Sequence, residues 1–382
     1  MTYTYVATCL FGLEKYVGEE IDALGYKRLE TIDGRITFEG DISAIARCNM
    51  WLRCAERVYI KMGEFEAHTF TELFDGVKAL PWESWIGRDD AFPVKGHSIR
   101  SALTSIPDCQ SIVKKAIADR LSAEYGISWF CEEGSKYQVD FFILNDKATL
   151  MIDTSGAPLY KRGYRTEAGG APLRETLACA IAKTSRPRQD ILFWDPFCGS
   201  GTVPIEAALM MTNTAPGILR TFAAEDFYDI DPKVWTDARE EARSLQTFDT
   251  SFQAYASDID PKMIEIANAN IERAGVGKLI KTFVKDATQI SAGGMKGSII
   301  CNPPYGERLM TPFQARKLYG DMGKTFSKLN NWQIYVLTSD ERFEQSYGRK
   351  ADKVRKLYNG MLKCNLYQYF RPADASVTKK KK

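Results

Sequence analysis

The residues Ser298-Ile299-Ile300-Cys301-Asn302-Pro303-Pro304-Tyr305-Gly306 join a short apolar run to an amide, two prolines and an aromatic ring. An apolar run that stops abruptly at such a group reads as a buried strand ending in a rigid loop. The prolines fix φ and lack N–H donors, which leaves the carbonyls of Asn302 and Pro303 as acceptors with few internal partners. Asn302 adds a side-chain acceptor and Tyr305 a flat apolar face. Together they suit a planar amino group gripped through its hydrogens while its ring is stacked, and the exocyclic amine of a nucleobase is the obvious case. Taken alone, the same residues would serve as a stiff turn or a polyproline-type ligand.

A second motif lies about a hundred residues upstream. Ile191 to Trp194 is apolar, Asp195-Pro196-Phe197-Cys198-Gly199-Ser200-Gly201-Thr202 is a glycine turn, and Ile205 to Met210 has helical character. Strand, tight loop and helix follow one another, and the glycines let backbone approach a ligand closely. Pro204 stands where a dinucleotide fingerprint needs its third glycine, and no Gly-Lys-Ser/Thr is present, so phosphate-bearing cofactors are disfavoured. Asp195 would repel pyrophosphate and attract a cation such as an ammonium or a sulfonium. Two more predicted strands end in acids. Phe252 to Ser257 leads to Asp258, placed for a ribose, with Asp260-Pro261 opening the next helix; Lys281 to Val284 leads to Asp286.

The elements that must hold these groups are spread over 382 residues, enough for two or three domains. Apolar content of 45% and charged content of 26% fit a globular protein, and no apolar run is long enough to cross a bilayer. The first residues carry no basic-then-apolar leader, so a cytoplasmic location is expected. Nine cysteines without a C-x-x-C pair read as reduced, and two histidines, His68 and His97, argue against a His triad or a metal site. Net charge is +2; residues 1–165 carry 20 Lys+Arg against 24 Asp+Glu and the remainder 31 against 25, part of the excess being the terminal Lys379 to Lys382.

The first sixty or so residues alternate short strands and helices. Farther on, Ile112, Val113, Ala116, Ile117 and Leu121 repeat at core spacing on a helix opened by Pro107-Asp108, with Lys114 and Lys115 off that stripe and Arg100 before it. Those cations are either phosphate contacts or an ordinary solvated face. Gln138 to Leu144 and Ala148 to Ile152 predict a hairpin turning at Asn145-Asp146. Tyr160-Lys161-Arg162-Gly163-Tyr164-Arg165 through Gly169-Gly170 is a linker whose Arg162 and Arg165 are further candidates for RNA contact.

Arg100 and the stretch Ser105 to Ile117 resemble a THUMP domain, preceded by the small ferredoxin-like unit that accompanies it, which implies recognition of a structured RNA. The strand ends Asp195/Gly199/Gly201, Asp258, Asp286 and Asn302, taken in order, resemble a class I S-adenosylmethionine-dependent methyltransferase. The implied fold is α/β: a ferredoxin-like unit at 1–60, a THUMP domain at 61–157 and a Rossmann-like methyltransferase domain at 158–382. The resemblance implies S-adenosyl-L-methionine held by Asp195, Phe197, Gly199, Gly201, Thr202, Asp258, Ile259, Asp286 and Ala287. Asp195 to Gly201 would face the methionine part, Asp258 the ribose and Asp286 the adenine. Asn302, Pro303, Pro304 and Tyr305 match the loop of the amino-methylating members. The interval from Gly201 to Asp258 is longer than a compact nucleotide fold requires. It resembles that of the THUMP-containing guanine-N2 methyltransferases of large-subunit ribosomal RNA, so RNA, 23S rRNA first, is the implied partner, with no metal and no membrane. Guanine N2 of transfer RNA, adenine N6 of a nucleic acid, and RNA binding without catalysis are the alternatives.

Overall fold

The computed structural model describes residues 1–165, 173–291, 293–305 and 310–370; Gly169-Gly170, Gly306 and Lys379 to Lys382 lie outside them. The chain forms two compact units, neither continuous in sequence: Met1–Cys9, Val17–Leu159 and Arg220–Glu241 in the first, Leu10–Tyr16, Tyr160–Leu219 and Ala242–Lys382 in the second.

In the first unit, β1 (Tyr3–Cys9), β2 (Lys27–Ile32), β3 (Arg35–Gly40), β4 (Ala55–Glu66), β5 (Val94–Ile99), β6 (Val139–Leu144) and β7 (Lys147–Asp153) build one seven-stranded sheet in the order β2-β3-β1-β4-β7-β6-β5. Only β5 and β6 are parallel. Strand β4 is 12 residues long and pairs with β1 on one side and β7 on the other. The expected ferredoxin-like and THUMP modules therefore share one hydrogen-bonded ladder. The hairpin from β6 to β7 turns at Asn145 and Asp146, whose φ values of 51° and 65° are the left-handed pair that such a short turn needs. Residues 220–241, part of the long interval after Gly201, pack here. Phe227 stacks on Tyr137 at 4.1 Å, Phe222 on Trp235 at 5.3 Å, and Arg47 donates to both carboxylate oxygens of Glu241 at 2.8 Å.

In the second unit, β8 (Leu192–Asp195), β9 (Ala254–Asp258), β10 (Ile280–Val284), β11 (Gly297–Cys301), β12 (Trp332–Thr338), β13 (Lys353–Asn359) and β14 (Leu362–Tyr369) form a sheet in the order β10-β9-β8-β11-β12-β14-β13. All pairs from β10 to β12 are parallel, and β14 lies antiparallel to both β12 and β13. The central parallel strands β8 and β11 are buried along their whole length, as strands covered on both faces are, so they read as continuous buried runs. From β8 the chain moves outward to β9 and β10, then returns to place β11 on the opposite flank of β8. That reversal is a topological switch point, and ligands of open α/β sheets bind at the carboxyl ends of the strands that flank it.

Candidate functional site

The switch point places the two sequence motifs side by side. Strands β8 and β11 are parallel neighbours, with Trp194 in register with Ile299, so the glycine turn after Asp195 and the Asn302-Pro303-Pro304-Tyr305 loop leave the same rim. Strands β9 and β10 end at that rim too, with Asp258 level with Val284.

The glycine turn is fixed by backbone donors. The Phe197 N–H donates to Asp195 Oδ1 at 3.0 Å, Cys198 N–H to the Ser257 carbonyl at 3.0 Å, and Gly199 N–H to Asp258 Oδ2 at 3.0 Å. Gly199 and Gly201 have φ of 51° and 81°, conformations that suit glycine. A Cβ on Gly199 would meet nothing within 4 Å, so that face of the loop is open for a ligand. The helix Thr202–Met211 starts directly after Gly201, and the buried Asn270 Nδ2 donates to the Ser200 carbonyl at 2.9 Å to hold its first turn.

Asp195 is 2% exposed, and burial, reinforced by the neighbouring Asp258 carboxylate, pushes its carboxyl up to about 8. A cation at this rim would draw it toward the charged form. Asp258 is half-buried and takes Gly199 N–H on one oxygen and Asp260 N–H on the other at 3.1 Å, which orients the carboxylate and leaves each oxygen a lone pair. Asp260 caps the next helix, accepting from Lys262 N–H at 2.9 Å. Ile259 is 68% exposed, an apolar side chain on an open edge. Asp286 caps the short helix Ala287–Gln289 through Oδ1, at 2.8 Å from Thr288 N, while its Oδ2 has only a 3.4 Å contact from Gln289 Nε2. Ala287 is buried beneath it.

At the end of β11, Asn302 Oδ1 is buried with no hydrogen-bond partner among the described residues. A buried acceptor left unsatisfied costs about 1–3 kcal/mol. The loop around it is tied down: the buried Tyr319 hydroxyl donates to the Pro304 carbonyl at 3.2 Å and pairs with Thr338 Oγ1 at 3.1 Å. Tyr305 is half-buried with its hydroxyl 3.8 Å from Cys364 Sγ on β14, and burial raises its pKa. Sequence reasoning missed Tyr319 and its helix, Pro312–Phe326; the capping box Thr311-x-x-Gln314 is a signal that could have found the helix, but nothing marks the hydroxyl.

The linker arginines differ from expectation. Arg162 is 3% exposed with its Nε 3.5 Å from Glu206 Oε1, and Tyr164 donates to the same oxygen at 3.0 Å, so its charge is used inside the unit rather than at an RNA-facing surface. Arg165 is mostly buried, donating to Glu175 at 2.8 Å and to the Leu173 carbonyl at 2.9 Å. Burial pushes the Glu175 carboxyl up to about 7. A charge moved from water persists only beside such partners, and a sequence does not show which cations have them. In the first unit, Lys114 lies 3.9 Å over the Phe92 ring and pairs with Glu132, whereas Arg100 and Lys115 are exposed.

Among the described residues no group of three or more His, Cys, Asp or Glu side chains could hold a metal ion, and no helix is long and apolar enough to cross a membrane.

Residues 162–368 match the RMKL-like methyltransferase domain family, residues 4–59 the RlmL ferredoxin-like domain and residues 67–153 the THUMP domain. The chain is 45% identical to the putative RNA methyltransferase YpsC of Bacillus subtilis, over 96% of each chain. It is 36% identical to the ribosomal RNA large subunit methyltransferase K/L of Aliivibrio salmonicida over 94% of its own length, but spans only 52% of that enzyme. The crystal structure of SMU.472, a putative methyltransferase complexed with SAH, superposes with a TM-score of 0.91 at 42% identity, covering 97% of this chain and 98% of that one.

Proposed function

Since the chain belongs to the RMKL-like methyltransferase family and carries that family's THUMP and ferredoxin-like domains, we propose that it methylates an exocyclic amine of RNA, guanine N2 of 23S rRNA, with S-adenosylmethionine as donor. The carrying observation is Asn302 Oδ1, a buried acceptor with no partner among the described residues, on the strand next to the glycine turn. The donor supplies an electrophilic methyl group on a sulfonium. Around it the protein offers the open face of Gly199, the oriented carboxylate of Asp258, and Asp195 as a buried group that a cation would ionise. In this reading Asp286 takes the adenine, and Phe197, Gly201, Thr202, Ile259 and Ala287 complete the walls.

A guanine N2 lone pair is delocalised into its ring. Accepting its two hydrogens at Asn302 Oδ1 and at the Pro303 carbonyl draws the nitrogen toward tetrahedral geometry and turns its lone pair outward. Rigid acceptors achieve this without reorganising, and Tyr319 keeps the loop rigid. Tyr305 offers its ring to the base. Proximity and fixed dipoles carry the reaction, and the surplus proton of the methylated nitrogen leaves to water, so no imidazole is needed.

Nucleoside mass spectrometry of 23S rRNA from a strain lacking the gene tests this. Loss of one N2-methylguanosine, restored by adding the purified protein with donor, is the expected result. Loss of N6-methyladenosine instead would move the target to adenine, and an unchanged nucleoside profile would refute the proposal.

A further inference from the structure

The hairpin of β13 and β14 overhangs the catalytic rim. Its turn is Gly360-Met361, with Asn359 paired to Leu362 and Gly360 at φ 64°. Pairing of β14 with β12 stops at Asn365 opposite Thr338, so Leu362 to Cys364 run on past the end of β12 by about 10 Å at ~3.4 Å per residue. The overhang is braced. Cys364 Sγ lies 3.8 Å from the Tyr305 hydroxyl and Tyr358 meets Phe11 edge-on at 5.8 Å, while behind the overhang, opposite Leu366, Arg355 Nη2 donates to the Gly12 carbonyl at 2.6 Å. Yet its tip is bare: Met361 is 98% exposed and Leu362 47%. Lys356, exposed on the same hairpin, has no acidic partner among the described residues and sits 5.2 Å over the Tyr358 ring.

The hairpin thus holds an unbranched apolar side chain beyond the end of β12, on a strand that touches the aromatic of the Asn302-Pro303-Pro304-Tyr305 loop. We infer that Met361 is a wedge: when the target nucleotide swings out of the RNA stack toward Asn302, Met361 enters the space it leaves and packs against the neighbouring base, with Lys356 against the phosphates. Unstacking one base costs a few kcal/mol, and apolar wedges that replace the lost contact recur in proteins that open nucleic-acid stacks. The inference rests on the RNA amine-methylation reading and adds the residue that stabilises the extruded state.

The experiment measures single-turnover methyl transfer from tritiated S-adenosylmethionine to 23S rRNA transcribed in vitro, with S-adenosylhomocysteine affinity and thermal midpoint as controls. Met361→Ala should slow transfer about tenfold or more while both controls stay at wild-type values. Met361→Leu, which keeps the bulk, should recover most of the rate. A wild-type rate in Met361→Ala, or equal loss in the alanine and leucine variants, overturns the wedge while leaving the methylation reading intact. A wild-type protein that transfers no methyl group to this RNA overturns both.

Discussion

Asn302→Ala deletes Oδ1 at the end of β11, which has no partner among the described residues, without touching the glycine turn. Loss of one preorganised catalytic hydrogen-bonding group typically lowers turnover by about 10²–10³. The expected outcome is that loss in kcat with S-adenosylhomocysteine affinity near wild type by calorimetry; an unchanged kcat would remove the amide from the mechanism. The same variant should not unfold the protein, since it removes an unsatisfied acceptor. Asp195 makes a pH-dependent prediction. Its folded pKa of about 8 lies above the ordinary carboxyl value, so in donor-free protein its contribution to stability is fully present below about pH 4 and is lost as pH rises through 8. Between pH 5 and 7 this one proton tilts unfolding free energy downward by ~1.4 kcal/mol per pH unit. Urea denaturation of Asp195→Asn across that range should show a correspondingly flatter slope. That Asn302 and the strand-end acids share one rim was legible because each closes a predicted strand of one parallel sheet. Arg162 was misread because a cation's partner, here Glu206, is set by packing and lies 44 positions away.

The glycine turn is the element most exposed to a backbone test. In Gly199→Ala the added methyl group meets open space, but φ of 51° is left-handed, a conformation costing an L-residue about 1–2 kcal/mol. The fold should survive with a thermal midpoint lower by a few degrees. Donor affinity should fall by more than strain alone accounts for, because the methyl group projects toward the space assigned to the ligand. Affinity equal to wild type would place the donor elsewhere. At this scale the sequence was read well where periodicity was strong. The hairpin at Asn145-Asp146 and the helix carrying Val113 and Leu121 formed as expected. Strand β2 went unread because all six of its residues are exposed, so it has no alternation to detect.

At the scale of the molecule, the shared sheet of the first unit limits how the chain can be cut. A fragment of residues 61–157 would keep β5, β6 and β7 but cut β4 in half, retaining Lys61 to Glu66 against β7 and leaving Ile152 and Asp153 without their partners. Unpaired edges template aggregation, so light scattering should show this fragment associating more than the full chain. A fragment ending at Leu159 should be less stable than one that also supplies residues 220–241, since Tyr137 loses its stacking partner Phe227. The sequence showed three modules in series but not this return, because nothing local in Phe222 or Trp235 tells where those rings pack.

The interleaved order of segments also bears on how the protein is made. A ribosome releases Leu10 to Tyr16 early, yet that segment belongs with the late hairpin strand carrying Arg355 and Tyr358, some 340 residues downstream. The first unit, in turn, waits for Glu241 before its last piece emerges. The first unit is therefore completed only after part of the second has been translated, and a product truncated before Glu241 would leave both incomplete.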